Sequence, residues 1–139
     1  MAQANHRVTV VEGPSRDHAS VSLAEGRAEI AQRVVDAIGR KNGSPPGIFV
    51  ASDDLMAVIY HRLRQEGIEP GRDAVLIGCN RDVPYLEQLH PRPATIDIRL
   101  DLVGERAVDQ LMWRMSHPID EGQTDVLIKP VVVPAEARG

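Results

Sequence analysis

Aromatic residues are almost missing from this 139-residue chain. Phe49, Tyr60, Tyr85 and Trp113 are all of them. A core must therefore be packed from Val, Ile, Leu, Ala and Met. Cysteine is scarcer still, because Cys79 stands alone. That excludes an internal disulfide and a cysteine-based zinc site, and it fits a reducing compartment. No apolar run approaches membrane-spanning length, and residues 1–7, MAQANHR, lack the apolar centre of a secretory signal. A cytoplasmic chain without a membrane partner is the expectation. The net charge of −4, with basic residues interleaved with acids as in GRAEIAQRVVDAIGRK, gives no electrostatic footing for nucleic acid. There is no GxGxxG, no P-loop and no HExxH spacing, so neither cofactor nor metal is expected.

What is present is ordinary globular composition, 42% hydrophobic and 26% charged, at a length that suits one domain. VTVV at 8–11 reads as a strand closed by Gly13-Pro14. From Leu23 to Ile38 the pattern is helical, with Ile30, Val34 and Ile38 four residues apart. RKNGSPPG then breaks it. IFVAS at 48–52 is an apolar strand followed at once by DDLMAVIYHRLRQEG. There Leu55, Ile59 and Leu63 form one helical stripe, with Met56 and Tyr60 beside it, and Gly67 stops the helix. AVLIG at 74–78 is the next strand, and VPYLEQL a short helix with Pro84 in its first turn.

ATIDIRL at 94–100 alternates Ile96 and Ile98 against Thr95, Asp97 and Arg99, which reads as a strand. Asp101 is placed to cap a helix reaching Met115, with Val103, Ala107, Leu111 and Met115 at steps of four. VLIKPVVV is a last strand that must tolerate Pro130, so an edge or bulged position is expected. Helices alternating with apolar strands call for an α/β fold, a parallel sheet flanked by helices on both faces. In such sheets ligands sit outside the carboxyl ends of the strands. Two of those ends read SDD and CNRD.

Ser52, Asp53 and Asp54 close one strand and open a helix. Ser and Asp are preferred N-caps and suit the positive end of a helix, which by itself explains them. The functional alternative is that one also offers an oxygen to a ligand. Asn80 follows the tight Gly78-Cys79 exit of the next strand, and its amide carries donors and an acceptor suited to a neutral polyhydroxylated molecule. As a turn residue it is equally ordinary. Cys79 has no base coupled to it by sequence pattern, and reads as a small buried residue rather than a nucleophile. Trp113, beside Met112 and Met115, reads as packing.

A second functional class is a receiver-like phosphoacceptor or small magnesium-dependent α/β enzyme using Asp53 and Asp54, with Asp97 and Lys129 in support. The spacing opposes it. The acidic pair follows the second strand rather than the first, and Lys129 comes too soon.

Taken in order, SDD, Gly67, EPGRD, VLIGCN, RPATIDI and VGERAVDQL resemble the C-terminal part of a LacI/GalR-type transcriptional regulator. Residues 45–133 carry the resemblance well and 7–44 loosely. It implies a lobe of the type I periplasmic-binding-protein-like fold, here incomplete. Residues 1–139 would be a partial effector-binding domain without a helix-turn-helix, and 98–116 would correspond to a crossover helix of the first lobe. The chain would be either a truncated piece or an unusually short protein. Asn80 falls where the family has an effector-binding Asp, and Ser52 where it has Asn or Asp. Asp53 matches a neighbour with a capping role, and the three make up the implied ligand-binding set. The implied partners are a small-molecule effector, carbohydrate-like, and a second copy in a homodimer. DNA would be bound only through an N-terminal domain outside this chain, and no catalytic residue is implied.

Overall fold

Ser22 starts the first helix by a reciprocal bond. Its hydroxyl accepts from the Glu25 N–H at 3.3 Å, while the Glu25 carboxylate accepts from the Ser22 N–H at 2.9 Å. The helix so opened, α1, runs Leu23–Ile38 and ends at Gly39. The computed structural model describes residues 8–13, 22–39, 44–118 and 122–137. After α1 come β1 (Gly47–Phe49), α2 (Asp53–Gln65), β2 (Val75–Cys79) and α3 (Val83–Leu86). β3 (Ala94–Asp97), α4 (Leu100–Ser116) and β4 (Val131–Val133) complete the order. Gly67, at a φ of 74° that favours glycine, stops the chain just past α2.

The four strands form one sheet in the order β1-β2-β3-β4. β1, β2 and β3 are parallel, with Phe49 beside Ile77, Ile77 beside Ala94, and Gly78 beside Thr95. β4 lies antiparallel to β3 on the far edge, starting directly after Pro130. The edge position expected for a proline-bearing strand is what is found, over a shorter span. The sheet is thus mixed rather than wholly parallel.

α2 lies against β2, and α1 and α3 pack against α2. Met56, Ile59, Tyr60 and Leu63 of α2 are buried together with Ala31, Val34, Val50, Leu76, Leu86 and Leu89. Tyr60 brings one of the few aromatics into this aliphatic core. Its hydroxyl stays satisfied by donating to the His90 carbonyl at 2.7 Å. Each fully buried aliphatic side chain of this set contributes about 1.5–3 kcal/mol relative to exposure.

Four expectations are corrected here. Residues 8–13 form no strand; Val8 and Val10 are exposed, and the segment lies along α1, where the Glu12 carbonyl accepts from Arg33 at 2.9 Å. α4 is not capped by Asp101. Asp97 accepts the Arg99 N–H at 2.8 Å and turns Arg99 left-handed, so the helix opens at Leu100 and Asp101 sits in its first turn. Among the described residues the sheet is covered on one side only. The face away from α2 carries Phe49, Val75 and Val132, which are 62%, 51% and 64% exposed. Finally, the alternation in ATIDIRL runs the other way, with Thr95 buried and Ile96 on the open face. The reason lies at the neighbouring carboxylate.

Candidate functional site

The carboxyl ends of β1 and β2 bring Ser52 and Asn80 to one edge of the sheet, as the SDD and CNRD breaks suggest. Ser52 is the N-cap of α2, with extended backbone; its hydroxyl caps no backbone N–H and instead bonds to the Asp54 carboxylate. Beside it, Asp54 accepts from the Leu55 N–H at 2.8 Å and is paired with the Arg27 guanidinium of α1. The Ser52 hydroxyl, the Leu55 N–H and Arg27 together outweigh partial burial and hold the Asp54 carboxyl below its ordinary value.

Asp53 faces the opposite way. It is 0% exposed, and its carboxylate lies under the sheet edge. One oxygen accepts from the Asp82 N–H at 2.8 Å, and the Thr95 hydroxyl lies 2.9 and 3.0 Å from the two oxygens. Burial pushes this carboxyl above its ordinary value, and the Asp82 N–H, the Thr95 hydroxyl and the Arg81 N–H pull it part of the way back. A Cβ on Gly78 would come within 2.0 Å of Asp53 Oδ1 and 2.8 Å of Met56 Cε, so β2 passes this carboxylate only as glycine. Thr95 is buried because Asp53 needs a donor there, which inverts the polarity expected of β3.

Past Gly78 and Cys79 the chain turns left-handed twice, at Asn80 (φ 99°) and Arg81 (φ 57°). Asn tolerates this region better than most residues, while Arg does not. The Asn80 N–H donates to the Ile96 carbonyl at 2.9 Å, which pins the turn to β3. Its side-chain amide makes no hydrogen bond to a described residue and is half-buried. Arg81 donates to Asp97 at 2.9 Å. The Arg99 N–H and Arg81 together lower the Asp97 carboxyl below its ordinary value.

Sequence reasoning singled out Ser52, Asp53 and Asn80 as ligand-binding candidates, and passed over the contacts that Gly78, Thr95 and the Arg81–Asp97 pair make around them. A threonine inside an apolar strand, two residues after a proline, was the available signal for Thr95. The paired-carboxylate alternative is disfavoured by direction: Asp53 binds Thr95 and the 81–82 backbone, Asp54 binds Arg27, and the two do not converge. Among the described residues no three His, Cys, Asp or Glu side chains gather as metal ligands. Cys79 is half-buried on the open face of the sheet, and Trp113 stacks on His117 with ring centroids 4.9 Å apart.

A family model described as a periplasmic binding protein-like domain matches residues 1–135. The lactose operon repressor of Rhizobium radiobacter is 33% identical over 72 residues, which are 51% of this chain and 63% of that protein. Among solved structures, the transcriptional regulator CelR in complex with cellobiose matches at a TM-score of 0.68 and 17% identity. The match covers 81% of this chain and 32% of that one. A LacI family regulator from Enterococcus faecium with bound ribose matches at 0.64 and 18% identity, over 81% and 39%. One from Mycobacterium smegmatis matches at 0.64 and 20%, over 81% and 41%. The chain thus spans less than two thirds of the length of each of these relatives.

Proposed function

Because this chain belongs to the periplasmic binding protein-like domain family, we propose that it is the effector-sensing part of a LacI-like transcriptional regulator. It binds a small carbohydrate-like molecule at the carboxyl edge of its parallel strands. In this reading the bound molecule favours one arrangement of the sensor and shifts DNA binding by a domain outside this chain. The shift is limited by its differential affinity for the two arrangements. The protein works in the cytoplasm as a homodimer, and α4 is the crossover helix that belongs with the first lobe. It catalyses nothing.

The observation that carries this reading is Asn80. Its amide stands at the exit of β2, half-buried and without a hydrogen bond to a described residue, on the same sheet edge as Ser52 at the exit of β1. That gives a neutral donor and acceptor pair at the place where open α/β sheets bind ligands. Asp53 supports the same edge from below. Relatives of this fold bound to cellobiose and to ribose make sugars the first molecules to try.

The test is a thermal-shift screen of monosaccharides and disaccharides, ribose and cellobiose included, on the whole chain. At least one sugar is expected to raise the midpoint, and Asn80→Ala is expected to abolish the rise. A screen in which no sugar shifts the midpoint, or in which Asn80→Ala keeps the full shift, overturns the assignment.

A further inference from the structure

We propose that Asp53 is the positioning residue of this edge: a buried carboxylate that holds the 80–82 turn, and with it the Asn80 amide, without itself touching the ligand. The inference rests on reading the edge as ligand-binding, and it concerns how that edge is kept in shape.

An aspartate at the start of a helix is ordinarily explained by its own helix. Here that explanation fails, because Ser52 is the N-cap and the Asp53 carboxylate is turned away toward other elements. Its partners come from β3, through Thr95, and from the β2–α3 turn, through the Asp82 N–H. The Arg81 N–H also points at it, and helps hold its proton affinity down. The consecutive backbone N–H groups of Arg81 and Asp82 converge from this turn on one carboxylate, a concave pair that suits an anion. Asp53 is that anion, supplied from within the fold.

The turn needs such a holder. Asn80 and Arg81 sit at φ of 99° and 57°, and a left-handed arginine persists only where its surroundings fix it. Asp97 grips the Arg81 side chain, but that pair lies at the surface, where ion pairs hold weakly. The buried carboxylate is the firmer anchor. Gly78 belongs to the same device, since any Cβ there would occupy the space of Asp53 Oδ1. One contact therefore accounts for Asp53, Gly78, Thr95 and the left-handed pair together.

The experiment is amide-resolved hydrogen exchange on the full chain, comparing wild type with Asp53→Asn, Thr95→Val and Thr95→Ser. In Asp53→Asn and Thr95→Val, exchange at Arg81 and Asp82 is expected to speed up by about tenfold, while the amides of α1 keep their rates. Thr95→Ser keeps the hydroxyl and is expected to restore protection, which a role in packing alone would not give. Unchanged rates at Arg81 and Asp82 in a folded Asp53→Asn or Thr95→Val protein overturn the proposal. So do rates that rise evenly along the whole chain, which would make Asp53 a general core residue. If Asp53→Asn does not fold, Thr95→Val and Thr95→Ser decide alone, and unfolding of both Asp53→Asn and Thr95→Val counts against positioning. Ribose and cellobiose midpoints on the same variants separate the two claims. A wild type that binds no sugar sinks the reading of the edge and leaves the exchange result standing.

Discussion

α2 and α4 look alike in the sequence and opposite in the fold. Each has apolar residues at steps of four, Leu55, Ile59 and Leu63 in one and Val103, Ala107, Leu111 and Met115 in the other. Yet α2 buries six of its thirteen residues, and α4 buries none of its seventeen. Leu100, Val108, Leu111, Met112 and Met115 are all exposed. Periodicity therefore reports that a helix has an apolar face, and says nothing of whether the face has found a partner. An isolated helix of this length is marginal in water, and α4 has no buried residue to support it.

The sharpest way to break the comparison is to damage the satisfied side. Gly78→Ala pushes a methyl into Asp53 and Met56, and is expected to cost about 3 kcal/mol or more, measured by urea unfolding followed by circular dichroism. A matched pair of truncations comes next. Leu63→Ala, in the fully buried part of α2, is expected to lose about 2–5 kcal/mol. Leu111→Ala, at the equivalent step of α4, should stay within about 0.5 kcal/mol. An equal loss at both positions would mean that α4 is buried against something in solution.

The helix starts differ in the same sense. α1 is opened by a complete capping box, and α4 by a left-handed arginine with no capping bond. Ser22→Ala should lower the urea midpoint by an amount equivalent to about 1 kcal/mol. The smallest effect is in pH dependence, where the adjacent aspartates oppose each other. Asp54 is held below its ordinary value of 3.8, so its contribution is present above that pH and is lost as pH falls through the lowered value. Asp53 is raised above 3.8 by burial, so the folded state binds its proton more tightly than the unfolded chain does. Its contribution is full below 3.8 and declines as pH rises through the raised value. Urea midpoints between about pH 3 and pH 6 should fall less on the acid side in Asp54→Asn, the Asp97 and Glu25 shares remaining, and should lose their upper decline in Asp53→Asn.

Much of this was legible in the residues. The helices at 23–38 and 53–65, the strand at 75–79 and the edge character of VVV after Pro130 follow from periodicity, glycine stops and the missing N–H of proline. Ser52 and Asn80 were legible as strand exits. What escaped was whatever depends on a partner distant in sequence. Thr95 is 42 positions from Asp53, and no local pattern says that a buried carboxylate will require its hydroxyl. VTVV reads as a strand by composition, but ladders are made by neighbours, and residues 8–13 lie along α1 instead. Arg99 as the residue before α4 was hidden for a related reason, since a side chain two positions back sets its backbone.

The lone tryptophan carries a practical consequence. Trp113 lies on α4, 37% exposed and stacked on His117, whereas the buried ring of the core is Tyr60. Tryptophan emission in this protein is thus an optical label on the exposed helix. The core melts in the tyrosine band. A denaturation curve recorded at the tryptophan wavelength would describe the wrong half of the molecule, and the gap between the two curves would measure how loosely α4 is attached to the rest.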